Sequence, residues 1–188
     1  MEIRKATFDD LSELQRVFSC AREYMKSQGN YTQWKDNRPP LFLIERDLNN
    51  NCTYVIQKEG KIVGTFSFLI GEEITYRKIY NGKWLNNEPY GTIHRIASDM
   101  TDKGIFDFAI EFILRNFDVD IRIDTHRKNK TMLHLLEKYN LLDLISFVSS
   151  IETPSAAKAF FSPKFDITVI TTLLSLSLPS FFKYKALR

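Results

Sequence analysis

Glycine is scarce in this chain. It occurs 7 times in 188 residues, for the last time at Gly104. No Gly-x-x-x-x-Gly-Lys-Ser/Thr and no Gly-x-Gly-x-x-Gly occurs, so neither a P-loop nor a dinucleotide-binding fingerprint is present. Gly-x-Ser-x-Gly is absent too, which removes the usual hydrolase nucleophile. The two cysteines, Cys20 and Cys52, cannot build a disulfide framework and fit reduced thiols in a cytosolic protein. With only three histidines they form no ligand cluster, so no metal is expected. No apolar run reaches the ~18 residues of a membrane span. The opening Met1-Glu2-Ile3-Arg4-Lys5 has no signal-peptide core, so a cytoplasmic location is expected and no membrane partner. Charge of one sign is also lacking: 26 basic against 23 acidic residues leave a formal +3. A nucleic-acid partner would need a clustered basic face. The run Arg127-Lys128-Asn129-Lys130 reads more simply as a solvated helix start, so none is expected.

What is present suits a single domain over residues 1–188: hydrophobic residues make up 44% and charged ones 26%. The chain is organised around Tyr90 to Ile113. Tyr90–Ser98 reads as a strand, Asp99–Gly104 as a short polar loop, and Ile105–Ile113 as a helix with apolar residues at helical spacing. A strand, a glycine turn and a helix start together make an anion site, because the first helical N–H groups lack partners and sit at the positive end of the dipole. Lys103 adds a positive charge there.

The remaining elements follow from the same rules. Ile3–Thr7 reads as a short edge strand. Thr7-Phe8-Asp9-Asp10 opens a helix with the stripe Leu11, Leu14, Phe18, Ala21 and Met25, ending near Gly29. Leu41–Leu48 reads as a second helix after Pro40. Thr53–Lys58 and Lys61–Ile70 flank the tight turn Glu59-Gly60, with Gly64 marking a bulge. Gly71–Pro89, with Tyr76, Tyr80 and Trp84, reads as a long loop or a lengthened hairpin end. Ile121–Thr125 reads as a strand and Asn129–Tyr139 as a helix. Hairpins first and a strand–helix–strand crossover later predict an α/β (α+β) fold: a mixed, mostly antiparallel central sheet with helices on both faces.

Two motifs resemble the GCN5-related N-acetyltransferase (GNAT) superfamily over about residues 1–140. Its acyl-CoA signature is a strand, a loop, then Arg/Gln-x-x-Gly-x-Gly/Ala opening a helix. Here Ile96 falls at the strand end, Thr101 on the Arg/Gln, Gly104 on the first glycine and Phe106 on the second. Downstream, Asn129, Met132, Leu135, Glu137 and Lys138 match Asn-x-x-Ala/Met-x-x-Leu-Tyr-Glu-Lys-x-Gly-Phe, with Leu136 in place of Tyr and Asn140-Leu141 in place of Gly-Phe. The opening Ile3-Arg4-Lys5-Ala6-Thr7 with Asp10 is also similar to that of many members.

The resemblance implies acetyl transfer from acetyl-CoA to a primary amine of a small molecule or peptide, by direct attack. It implies that the backbone at Ile96, Ala97 and Ser98 pairs with the pantetheine arm. Asp102, Lys103, Gly104, Ile105, Phe106 and Asp107 would wrap the pyrophosphate, where the Phe106 ring is expected to crowd it. Asn129 would contact the cofactor arm or brace the strand end. Strand alternation puts Tyr90, Thr92 and His94 on one face and Arg95 on the other. His94 is the candidate base, because imidazole titrates near neutrality, or else a hydrogen-bonded core histidine. Tyr139 would stand in for the missing acid at Leu136, or belong to the core. Tyr31, Trp34 and Tyr90 border the expected acceptor site, Tyr31 and Trp34 reading equally as packing aromatics. His126 and His134 read as surface groups.

Residues 141–188 differ in character. They hold no glycine, eight of the thirteen serines and eight charged residues in 48. The family's Gly-Phe and last hairpin are not legible there, although Asp166–Leu174 reads as a strand. The aromatics Phe160, Phe161, Phe165, Phe181 and Phe182 either pack or pair two copies as a homodimer. The alternative to an enzyme is a non-catalytic protein of this fold that binds acyl-CoA or a partner only, favoured by Phe106, Leu136 and the atypical tail.

Overall fold

The computed structural model describes residues 1–77 and 88–139, and the backbone of the two-residue strand Lys164–Phe165. The expectations for Tyr80, Trp84, Asp166–Leu174 and the tail aromatics lie outside the described residues.

The elements appear in the expected order. β1 (Glu2–Lys5) leads through a 3-10 turn, Phe8–Asp10, into α1 (Leu11–Ser27). The start is fixed by Asp10, whose carboxylate accepts the Thr7 N–H at 2.8 Å and both arms of Arg4 at 2.7 and 2.8 Å. α2 (Leu41–Asn49) follows Pro40, which lies just before the first helical residue. The hairpin β2 (Thr53–Lys58) and β3 (Lys61–Ile70) turns at Glu59-Gly60, both with positive φ as this tight turn requires. Then come the 3-10 turn Ile74–Tyr76, β4 (Tyr90–Ser98), α3 (Ile105–Asn116), β5 (Asp120–Ile123), α4 (Lys130–Lys138) and β6 (Lys164–Phe165).

The strands lie in sequence order in one sheet, β1 to β6. Every neighbouring pair is antiparallel except β4 and β5, which run parallel because α3 carries the chain back across the sheet. The helices divide between the faces. Leu14, Val17, Phe18 and Ala21 of α1 and Ile44 and Leu48 of α2 pack with Val55, Ile62 and Ala97. Ile105, Phe106, Ala109, Ile110 and Ile113 of α3 and Leu136 of α4 pack on the other face with Tyr54, Ile56, Val63, Phe66, Phe68, Ile93, Ile121 and Ile123. Each Val, Leu, Ile or Phe among them taken fully from water contributes about 1.5–3 kcal/mol.

The register slips twice. Ile56 faces Gly64 but Gln57 faces Ile62, so Val63 is the extra residue of a bulge beside the marked glycine. Thr65 faces Ala97 but Ser67 faces His94, so β4 carries an extra residue between those positions.

Candidate active site

The second slip shapes the site. Arg95 lies in the bulge with φ +53°, a left-handed conformation that costs a non-glycine residue of order 1 kcal/mol. The parallel ladder with β5 runs only from Tyr90↔Asp120 to Ile93↔Ile123. From His94 to Ser98, β4 stays paired with β3 through His94, Ala97 and Ser98 but has no ladder partner on its other side among the described residues. Unpaired N–H and C=O groups along such an edge are a template for an extended, amide-bearing ligand.

The bulge also corrects the expected direction of Arg95. Unbroken alternation would send it away from His94. Instead its guanidinium pairs with Asp47 of α2, which also accepts the Ser67 hydroxyl at 2.9 Å. Ser67 stands opposite His94 in the ladder, so His94 and Arg95 occupy the same face. An inserted residue shifts every later side chain by one position.

At the end of the open edge the polar loop is held by Asp99. Its side chain is fully buried and accepts the Thr101 N–H at 3.0 Å and hydroxyl at 2.6 Å, with Lys61 at 3.0 Å and Arg16 at 3.1 Å. Burial alone would raise its pKa, but the Thr101 hydrogen bonds and the two cations outweigh it and hold it down to about 2. Asp102 pairs with Lys58 at 2.5 Å. Gly104 caps α3 with φ +77°, and Lys103 beside it is exposed. A Cβ at Gly104 would meet only Asp107 Oδ2, at 4.0 Å, so the approach to the first α3 amides is open. Phe106 does not crowd it: its ring is buried in the core, 5.8 Å from the Tyr139 ring. The position one residue into the helix points down onto the sheet, so its bulk is taken up by packing. This open cradle and the free strand edge suit a ligand carrying a phosphate and an extended amide arm.

On the open side of β4, His94 lies between two carboxylates. Its Nε2 is 3.3 Å from Glu73 and its Nδ1 4.0 Å from Asp124. The Tyr76 hydroxyl donates to Asp124 at 2.5 Å, and its ring is 6.0 Å from the imidazole. Burial, then Asp124, pushes the Tyr76 phenol well above its ordinary pKa, so it stays a donor. Tyr90 is buried; its hydroxyl accepts the Glu73 N–H at 2.9 Å and its ring underlies the Arg122 guanidinium at 3.4 Å. Burial lowers the Arg122 pKa from its ordinary value, opposed by Tyr90 and Asp120. The sequence reading missed Glu73 and Asp124. Asp124 carried a signal, since Asp120, Arg122 and Asp124 alternate with the core residues Ile121 and Ile123. Glu73 carried none.

The other candidates separate. Asn129 caps α4, accepting the Met132 N–H at 3.1 Å, and donates to Gln33 at 3.1 Å. Trp34 packs edge-on against Phe18 at 5.7 Å, and Tyr31 is exposed. The Tyr139 hydroxyl donates to Asp107 at 2.6 Å, and burial followed by that carboxylate pushes its pKa well up. Lys138 holds the other Asp107 oxygen at 2.8 Å. Leu136 is fully buried, His134 is exposed, and His126 accepts the Lys128 N–H. No group of three or more potential metal ligands occurs among the described residues. No described helix is long and apolar enough to cross a membrane.

No family sequence model matches the chain, and no curated protein does. Solved structures do. A GNAT-family acetyltransferase from Streptococcus agalactiae is 30% identical, over 73% of this chain and 82% of its own, with a TM-score of 0.66. A protein of Staphylococcus aureus assigned as an acetyltransferase is 21% identical over 89% and 99% of the two chains, with a TM-score of 0.62. A GNAT-family acetyltransferase from Listeria monocytogenes is 17% identical over 87% and 93%, with a TM-score of 0.61. The last two share the fold.

Proposed function

Because the chain belongs to the GNAT family of acetyltransferases, we propose that it transfers the acetyl group of acetyl-CoA to a primary amine of a small molecule or peptide. The observation that supports this most is the pairing of β4 from His94 to Ser98 on one side only among the described residues, followed by the loop that ends in the Gly104 turn.

Acetyl-CoA, when bound, supplies an activated thioester. The protein's part is to hold, orient and deprotonate. The backbone of Ile96, Ala97 and Ser98 offers donors and acceptors to the pantetheine amides as an added strand would. The amides of Ile105 and Phe106, with the N-terminus of α3 behind them, hold the pyrophosphate, and exposed Lys103 adds a point charge. A strand N–H beside the bulge polarises the acetyl carbonyl. The incoming amine arrives as an ammonium ion and must lose a proton before it attacks. His94 takes that proton, directly or through water, and Glu73 and Asp124 stabilise the imidazolium that results. Tyr90 fixes Glu73 through its backbone, and Tyr76 fixes Asp124. Leu136 cannot reprotonate the leaving thiolate. Tyr139 remains the candidate for that step if Asp107 releases its hydroxyl, and solvent can serve otherwise.

Titration of acetyl-CoA into the purified protein by calorimetry tests the reading. Binding at a Kd of about 10 µM or better, lost in Gly104→Trp, is the expected result; the amine acceptor is then sought by free-thiol release. Thr101 and Leu136, standing where the family pattern has Arg/Gln and Tyr, favour a second reading: a protein that binds acyl-CoA without turning it over. Binding without thiol release across amine classes would support that one. No binding at millimolar concentration would remove both.

A further inference from the structure

A buried ion pair lies under the bulge of β4, and the reaction as described does not use it. Asp47 is 1% exposed and Arg95 falls among the partly buried residues. The carboxylate oxygen that takes Arg95 also takes the Ser67 hydroxyl, which lies 3.3 Å from Thr53 Oγ1. The Asp47 backbone carbonyl accepts the Cys52 N–H at 3.1 Å and its thiol at 3.3 Å. The Asp47 side chain is thus fastened to β3 and β4, and its backbone carbonyl to Cys52 just before β2. A buried charge is tolerated only when paired, and this carboxylate has two cations: Arg95 on Oδ2 and, from the helix itself, the half-exposed Arg46 on Oδ1 at 3.4 Å. The Arg95 cation belongs to the one described residue of β4 with positive φ.

We propose that Asp47 and Arg95 are positioning residues: their ion pair holds the β4 bulge in its left-handed conformation and thereby keeps the His94–Ser98 edge turned away from β5 and ready for the acyl donor. The proposal uses the donor reading given above for its ligand, but its mechanical part concerns the free protein. Without the pair, Arg95 relaxes toward ordinary extended backbone. The register after Ile93 then changes, since alternation and bulge cannot both hold. His94 loses its place beside Glu73 and Asp124 at the same time.

Asp47→Asn, Arg95→Met, Arg95→Gly and Arg95→Lys test this in the full chain. Arg95→Met is the informative one, because it removes the cation and keeps a side chain at positive φ, whereas glycine accepts positive φ and removes the strain together with the cation. Two quantities are measured. One is hydrogen exchange of the His94–Asp99 amides in the ligand-free protein, referred to those of Thr53–Lys58. The other is acetyl-CoA affinity by calorimetry, with KM for the donor and kcat wherever turnover is found. Arg95→Met is expected to unfold cooperatively, to exchange its His94–Asp99 amides about tenfold faster relative to β2, and to bind acetyl-CoA about tenfold more weakly. KM rises more than kcat falls, and Arg95→Lys recovers most of the loss. A global loss of stability would speed exchange in both strands together. Folded Arg95→Met and Asp47→Asn proteins with wild-type exchange at His94–Asp99 would overturn the proposal. If Asp47→Asn does not fold, Arg95→Met decides, and Arg95→Gly, which needs no cation to keep positive φ, should exchange more nearly like wild type than Arg95→Met does. If the wild-type protein binds no acetyl-CoA, the donor reading fails, and the exchange comparison decides the positioning role by itself.

Discussion

One strand carries two kinds of chemistry. From Tyr90 to Ile93, β4 is paired on both sides, and Ile93 is buried between α3 and the sheet. From His94 to Ser98 it is paired on one side only among the described residues, bulged at Arg95, with His94 and Ser98 partly exposed. The same β3 runs beside both halves. They differ in what lies on the other side. A second ladder satisfies the backbone of the first half and makes it structure. Its absence leaves the second half with hydrogen-bonding capacity to offer.

If the halves are separable, they should fail differently. His94→Ala should lower kcat by roughly 10²–10⁴-fold on whatever amine proves to be the acceptor, which is the usual worth of a positioned base. Its melting temperature should stay near wild type. A comparable fall in stability would mean that the open half is core after all. Ile93→Ala should do the reverse, costing about 2–5 kcal/mol in denaturant titration while leaving acetyl-CoA affinity of the folded protein within a few-fold.

Asp99 lies where the open half joins the donor loop, and its contribution depends on pH. Its folded pKa, about 2, is below the ordinary value of 3.8. A depressed carboxylate stabilises the fold above its unfolded pKa and loses that contribution as pH falls through the folded one. Unfolding free energy should therefore drop by about 2 kcal/mol between pH 4 and pH 2 through this group. Asp99→Asn should flatten that part of the curve, as followed by urea titration at successive pH values. Asn129→Ala makes the smallest change. Loss of the α4 cap should cost about 1 kcal/mol and, with the Gln33 bond gone, loosen the Asn30–Trp34 segment. Unchanged stability would mean that water replaces the cap.

Much of the fold was legible beforehand. The β2–β3 hairpin falls at its expected bounds, because Glu59-Gly60 is local turn chemistry. α1 and α3 follow their apolar periodicity, and α3 begins at Gly104 because glycine alone accepts that φ cheaply. The site was legible only in part. His94 stood out as an imidazole on a strand, but Glu73 and Asp124 lie 21 and 30 residues away from it in sequence. No local pattern brings such residues together.

The sequence by itself determined the order and type of the elements, the glycine-opened helix after the central strand, and the division of apolar residues between two faces. These rest on interactions between residues a few positions apart, where periodicity, caps and turns act. The tertiary structure alone decided the bulge that sets Arg95 on Asp47, the burial of Phe106 away from the donor loop, and the end of the β4–β5 ladder at Ile93. Each is a contest between distant groups for the same space or the same hydrogen bond. Its outcome depends on how α2, α3 and the sheet pack, which alternation along one strand does not encode.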